Sequence, residues 1–186
     1  MDKNINIYLS GFGSIKNEIE VIKNWCNVIE NYYENHKLKI ISMKFDSLMC
    51  KKILEEPKRL ITENNINLII EIIGDGFGDT SLALAKKTLE LSKDLGLPYF
   101  VLVKSIRTEK HPNYTYEFID QLNNIFNIDD IFRFYDDEDY LSERFSQILD
   151  KTIQIRSGDM SIDKKIEDIV IDHFKYSNKS KRMIWA

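Results

Sequence analysis

Short apolar runs and longer stretches with helical spacing take turns along this chain, and that alternation limits the folds open to it. INIYLSG (5–11), LKIISMKF (38–45), INLIIEIIG (66–74), PYFVLVKS (98–105) and DIFRFYD (130–136) read as strands. Between the first two, Ile15, Ile19, Ile22, Cys26, Ile29 and Tyr33 step by four and three residues, which puts them on one helix face. DSLMCKKILEEPKRLITENN (46–65) reads as a helix capped by Asp46 and bent or interrupted at Pro57. Leu84, Thr88, Leu91 and Leu95 form another stripe, closed by Gly96 as a C-cap. A further helix is expected around Phe118, Leu122 and Ile125. Two late helices carry Leu141, Phe145, Ile148 and Thr152, then Ile162, Ile166, Ile169 and His173.

Strands and helices that alternate over short connections predict a parallel sheet covered on both sides. The expected fold is a three-layer Rossmann-like α/β sandwich, with a mainly parallel five-stranded sheet and helices on both faces. INLIIEIIG is apolar on both faces and belongs at the sheet centre. The simplest strand order is 2-1-3-4-5. One domain is expected over 1–176, followed by a C-terminal tail, 177–186, whose composition is basic and then apolar.

Composition narrows the function classes. At 186 residues, 43% hydrophobic and 30% charged, the chain is that of a globular protein with room for a sizeable core. A formal net charge of −4 argues against nucleic acid or an anionic membrane as the main partner. Cys26 and Cys50 form no C-x-x-C and each sits in an apolar helical pattern, so both read as buried free thiols in a reducing compartment. The N-terminus lacks the order of a signal peptide, and no apolar run approaches about 18 residues. The expected location is the cytoplasm.

In strand order 2-1-3-4-5 the direction of winding reverses between strands 1 and 3. Open α/β sheets bind ligands there, at the carboxyl ends. Both glycine-rich turns, SGFGS (10–14) and GDGFGDTS (74–81), converge on that spot. Gly11, Gly13, Gly74, Gly76 and Gly78 let backbone approach a phosphate closely, and the helix starts that follow present free N–H groups. Ser14, Thr80 and Ser81 either cap those helices or reach a phosphate or metal. Asp75 and Asp79 oppose a bare phosphate and fit better around Mg²⁺ or a bridging water. Asp46 follows strand 2, where a ribose-binding acid sits in such folds, although a helix cap is its plainer use. On a purely structural account, Asp79 is an N-cap and the glycines are turn residues.

Standard motifs are absent. No G-x-x-x-x-G-K-[ST] occurs, and Lys16 stands where the third glycine of a dinucleotide fingerprint belongs. There is no Ser-His-Asp order and no G-x-S-x-G. His36, His111 and His173 show no metal-ligand spacing and read as surface or packing residues. The acidic run YDDEDY (135–140) reads as a solvated helix start, with a ribose or base contact as the sharper alternative.

INLIIEIIGDGFGDTSLALAKKTLELSKDLGLPYFVLVKSI resembles the central stretch of the tubulin/FtsZ superfamily. There, an apolar strand enters a glycine-rich phosphate loop, then a helix, a Leu-Gly turn and another apolar strand. INIYLSGFGSIKNE is similar to that family's first strand and phosphate loop, KFD (44–46) to its strand-2 end, and IFRFYDDE to the strand leading to its base- and ribose-contacting helix. The resemblance implies a nucleotide crevice for GTP or GDP with Mg²⁺. The family's G-G-G-T-G-[ST]-G loop is here Gly74-Asp75-Gly76-Phe77-Gly78-Asp79-Thr80, and the second domain that completes hydrolysis is not expected. The expectation is therefore a reduced nucleotide-binding protein, a partner or regulator of a filament system, with little or no GTPase activity. It would act through a protein partner or as a homo-oligomer. Two other readings stay open: an interaction module with vestigial loops, and a flavodoxin-like or nucleotide-processing enzyme.

Overall fold

The computed structural model describes residues 4–11, 15–30, 37–43, 55–74, 78–104 and 132–157. The expected helices around 118–125 and 162–173 and the tail at 177–186 lie outside these residues, as do Asp46 and Cys50.

Four strands, β1 (Asn4–Ser10), β2 (Lys37–Ser42), β3 (Leu68–Ile73) and β4 (Tyr99–Lys104), form a parallel sheet in the order β2-β1-β3-β4. A four-residue stretch, β5 (Phe132–Tyr135), pairs in parallel beside β4. Parallel neighbours need a crossover. Helix α1 (Lys16–Ile29) joins β1 to β2, α2 (Glu56–Glu63) precedes β3, and α3 (Asp79–Leu95) joins β3 to β4. Helix α4 (Glu138–Ser157) follows β5.

The chain divides into two compact units, residues 1–148 and 149–186, with the boundary inside α4. Of the second unit only 149–157 is described, as the last turns of that helix.

Every residue of β3 is buried, as its composition demanded. Ile69 and Ile73 join one apolar cluster with Val101 and Val103 of β4, Ile61 of α2 and Leu84 and Leu89 of α3. The residues of opposite parity, Leu68, Ile70 and Ile72 on β3 and Phe100 and Leu102 on β4, are buried as well, so neither side of these two strands faces solvent. Each such side chain contributes about 1.5–3 kcal/mol. On α1 the expected stripe, Ile19, Ile22, Cys26 and Ile29, is buried. On α4, Leu141, Phe145, Ile148 and Thr152 are buried too.

The register of β1 against β3 is fastened by asparagines. Asn6 Nδ2 donates to the carbonyls of Asn64 (2.7 Å) and Asn65 (3.2 Å), and its backbone N–H donates to Asn67 Oδ1 (2.9 Å). Asn65 holds φ +48°, a left-handed conformation that asparagine tolerates better than most residues. This ties the turn between α2 and β3 to the start of β1. At the far end of α3, Gly96 adopts φ +62° as the expected C-cap, and Leu97 N–H donates to Ser92 O (2.9 Å).

Several boundaries differ from expectation. Pro98 lies just outside β4, and its carbonyl accepts from Ile69 N–H (3.0 Å). Pro57 falls in the first turn of α2, where its missing N–H costs nothing. The acidic run, by contrast, is the solvated helix start it was expected to be: Asp136 to Asp139 are exposed, and Asp137 Oδ1 accepts from Tyr140 N–H (3.0 Å).

Candidate functional site

β1 and β3 are parallel neighbours, so the turns leaving their carboxyl ends start side by side, with Ser10 paired opposite Glu71. Gly11 has φ +153°, and a Cβ there would sit against the Ile15 side chain and 2.8 Å from Ile72 O. The first turn therefore lies directly on the β3 backbone, an approach only glycine permits. Gly74, buried, opens the second turn. Gly13, Ser14, Asp75 and Gly76 lie outside the described residues, as does Asp46.

The start of α3 corrects one expectation. Its N-cap is Gly78, extended at φ −140°, whose carbonyl accepts from Leu82 N–H (2.8 Å); no side chain caps the helix. Asp79 is the first helical residue, one place too late to act as the cap. Asp79 and Thr80 are exposed. Ser81 is 1% exposed, and its Oγ has no hydrogen-bond partner. The first-turn N–H groups, uncapped by any side chain, give this end a partial positive charge. Among the described residues no three of His, Cys, Asp and Glu gather in a way that would hold a metal, and of the expected acid pair only Asp79 is described.

Two charged groups close to the carboxyl ends escaped the sequence reading. Glu71, in the middle of β3, is 0% exposed. Thr88 Oγ1 of α3 lies 3.0 Å from Glu71 Oε2, whereas the Ser10 and Tyr99 hydroxyls come near the carboxyl without reaching bonding geometry, leaving Oε1 unpartnered. Burial pushes the Glu71 carboxyl up to about 7, against the pull of the Ser10, Thr88 and Tyr99 hydroxyls. Burial, with Glu71 adding to it, also raises the Tyr8 and Tyr99 phenols well above their ordinary value. The signal was available: an acid inside LIIEII is anomalous in a strand buried on both faces.

The second group is Glu18, in the first turn of α1. Its Oε1 is 3.5 Å from Lys104 Nζ at the end of β4 and accepts from the Tyr135 hydroxyl at the end of β5 (3.4 Å). Glu18 stands three residues after Ile15 and four before Ile22, on the apolar stripe itself, which was its only mark in the sequence. It stations a lysine at the carboxyl edge of the sheet.

A comparison with protein-family models found no match, and a search of curated proteins found none.

Proposed function

We propose that this chain is a reduced tubulin/FtsZ-like nucleotide-binding protein, a partner or regulator of a filament system rather than a polymerising GTPase. In this reading the sheet is the five-stranded centre of a three-layer Rossmann-like sandwich. The observation that carries the proposal is the adjacency of the two turn roots, Ser10–Gly11 lying against Glu71–Ile72 at the point where the strand order reverses.

The nucleotide phosphates would lie over Gly11 and at the start of α3, where Gly78 leaves the N–H groups uncovered and the Ser81 hydroxyl is unpartnered. Asp79, and Asp75 with it, would repel a bare phosphate. Mg²⁺, when bound, supplies the positive charge that reverses that sign locally. The residues fit a binding role better than a hydrolytic one. Hydrolysis needs a water positioned and activated beside the terminal phosphate, and the sequence carries none of the standard catalytic motifs.

Calorimetric titration with GTP and GDP, in Mg²⁺ or in EDTA, tests the proposal. Wild type should bind only with Mg²⁺, Gly76→Val should block binding, and Asp79→Ala should weaken the Mg²⁺ dependence. Phosphate release should stay at buffer background. Equal affinities in all three proteins, or no binding in any, would overturn it.

A further inference from the structure

We propose that Glu71 is a proton-operated latch: in mildly acidic solution the folded chain keeps a proton on its carboxyl, shared in a hydrogen bond to Thr88, and loss of that proton as pH rises loosens α3 from the sheet.

Thr88 Oγ1 lies 3.0 Å from Glu71 Oε2 and also 3.0 Å from Ala85 O. A threonine hydroxyl has one hydrogen to give and lone pairs to receive. If Glu71 is ionised, both oxygens are acceptors and one of the two contacts is not a bond. If Glu71 carries a proton on Oε2, it donates to Thr88 Oγ1, which donates in turn to Ala85 O. Each short contact is then a bond, and each hydrogen is used once.

The surroundings agree. Tyr8 and Ser10 face the carboxyl from β1, Tyr99 from β4 and Thr88 from α3, and Glu56 of α2 acts on Tyr8. These groups are neutral or acidic, and among the described residues no cation acts on Glu71. An ionised carboxylate would stand here without a counter-charge among the described residues and with no access to solvent. The upward push on its titration points the same way.

The latch has a mechanical consequence because Thr88 sits midway along α3, among the buried Leu84, Ala85, Leu89 and Leu91. Ionisation leaves a charge beneath the helix that the Ser10, Thr88 and Tyr99 hydroxyls offset only in part, and water reaches it only if α3 moves off the sheet. The proposal requires no nucleotide and stands apart from the function proposed above.

The test uses the full chain, as wild type and Glu71→Gln, which keeps the shape and a donor for Thr88. At pH 6, when exposed carboxylates have ionised, the infrared spectrum of wild type should show a carboxylic-acid carbonyl band that Glu71→Gln lacks. Hydrogen exchange supplies the second readout. From pH 6 to pH 8, the opening equilibrium of α3 in wild type should rise about tenfold relative to Glu71→Gln, the shift expected of a group that titrates near 7 when closed and near 4.5 when open. No acid band at pH 6, or an exchange ratio constant with pH, would overturn the proposal. Should Glu71→Gln fail to fold, the wild-type infrared titration decides alone: a band lost near pH 7 supports the latch, and its absence at pH 6 refutes it.

Discussion

Replacing Gly11 by alanine asks how closely the first turn is bound to the central strand. The added Cβ meets two groups. One is the Ile15 side chain, 1% exposed and so without room to swing aside. The other is Ile72 O at 2.8 Å, a backbone atom of a strand paired on both sides. Alanine must also adopt φ +153°, a strained conformation costing about 1–3 kcal/mol, and overpacking adds roughly 1–3 kcal/mol. Part of the strain is relieved as the turn shifts, so the net loss should be about 2–4 kcal/mol. For a chain of 186 residues that lowers Tm by roughly 5–15 °C. Gly78→Ala is the control. A Cβ there meets nothing within 4 Å and the backbone is extended, so the weaker cap and the stiffer unfolded chain should offset each other to about zero. Thermal melts of both variants beside wild type provide the measurement. Equal stability of Gly11→Ala and Gly78→Ala would refute the claim that the first turn lies on the β3 backbone.

Stability should also depend on Glu71 in a defined direction. Its folded value, about 7, lies above the ordinary 4.5, so its contribution is whole below pH 4.5 and is lost as pH rises to 7. Relative to Glu71→Gln, wild type should lose about 3 kcal/mol across that window in urea titrations, and a parallel pair of curves would contradict it. Ile70→Ala, at a fully buried position of the central strand, should cost about 2–5 kcal/mol by the same assay, and a cost below about 1 would argue against its burial. Cys26 is 5% exposed, and burial pushes its thiol up to about 12, so a thiol reagent at pH 8 should label it only as the chain unfolds.

What could be read from sequence, and what could not, follows from range. INLIIEIIG declared a strand buried on both faces because six successive residues had nowhere polar to go, yet the same apolar mass hid Glu71. Gly96 was legible as a cap because the stripe of α3 ends beside it. The other end of α3 was not, since Gly78 and Asp79 are both good cap residues and only the backbone dihedrals choose between them. The Glu18–Lys104 pair could not be read at all, because its members are far apart in the chain and meet only through the order of the strands. The candidate site was read as two loops; their roots at Gly11, Gly74 and Gly78 are described, but the aspartate–glycine turn between the last two is not.

β2 ends the described strand order, and its sequence KLKIIS has a bearing on how copies of this chain meet at high concentration. A terminal strand offers backbone N–H and C=O groups on which a second molecule can extend the sheet, and here Glu30 Oε1 already accepts from one of them, the Leu38 N–H (3.2 Å). Lys37 and Lys39 stand exposed along it, while Leu38 and Ile40 are only half-buried. Two such edges brought together would set ammonium groups against each other before any backbone bond formed. Where that edge is open, the two lysines would work against edge-to-edge pairing, an effect the chain's overall negative charge does not disclose.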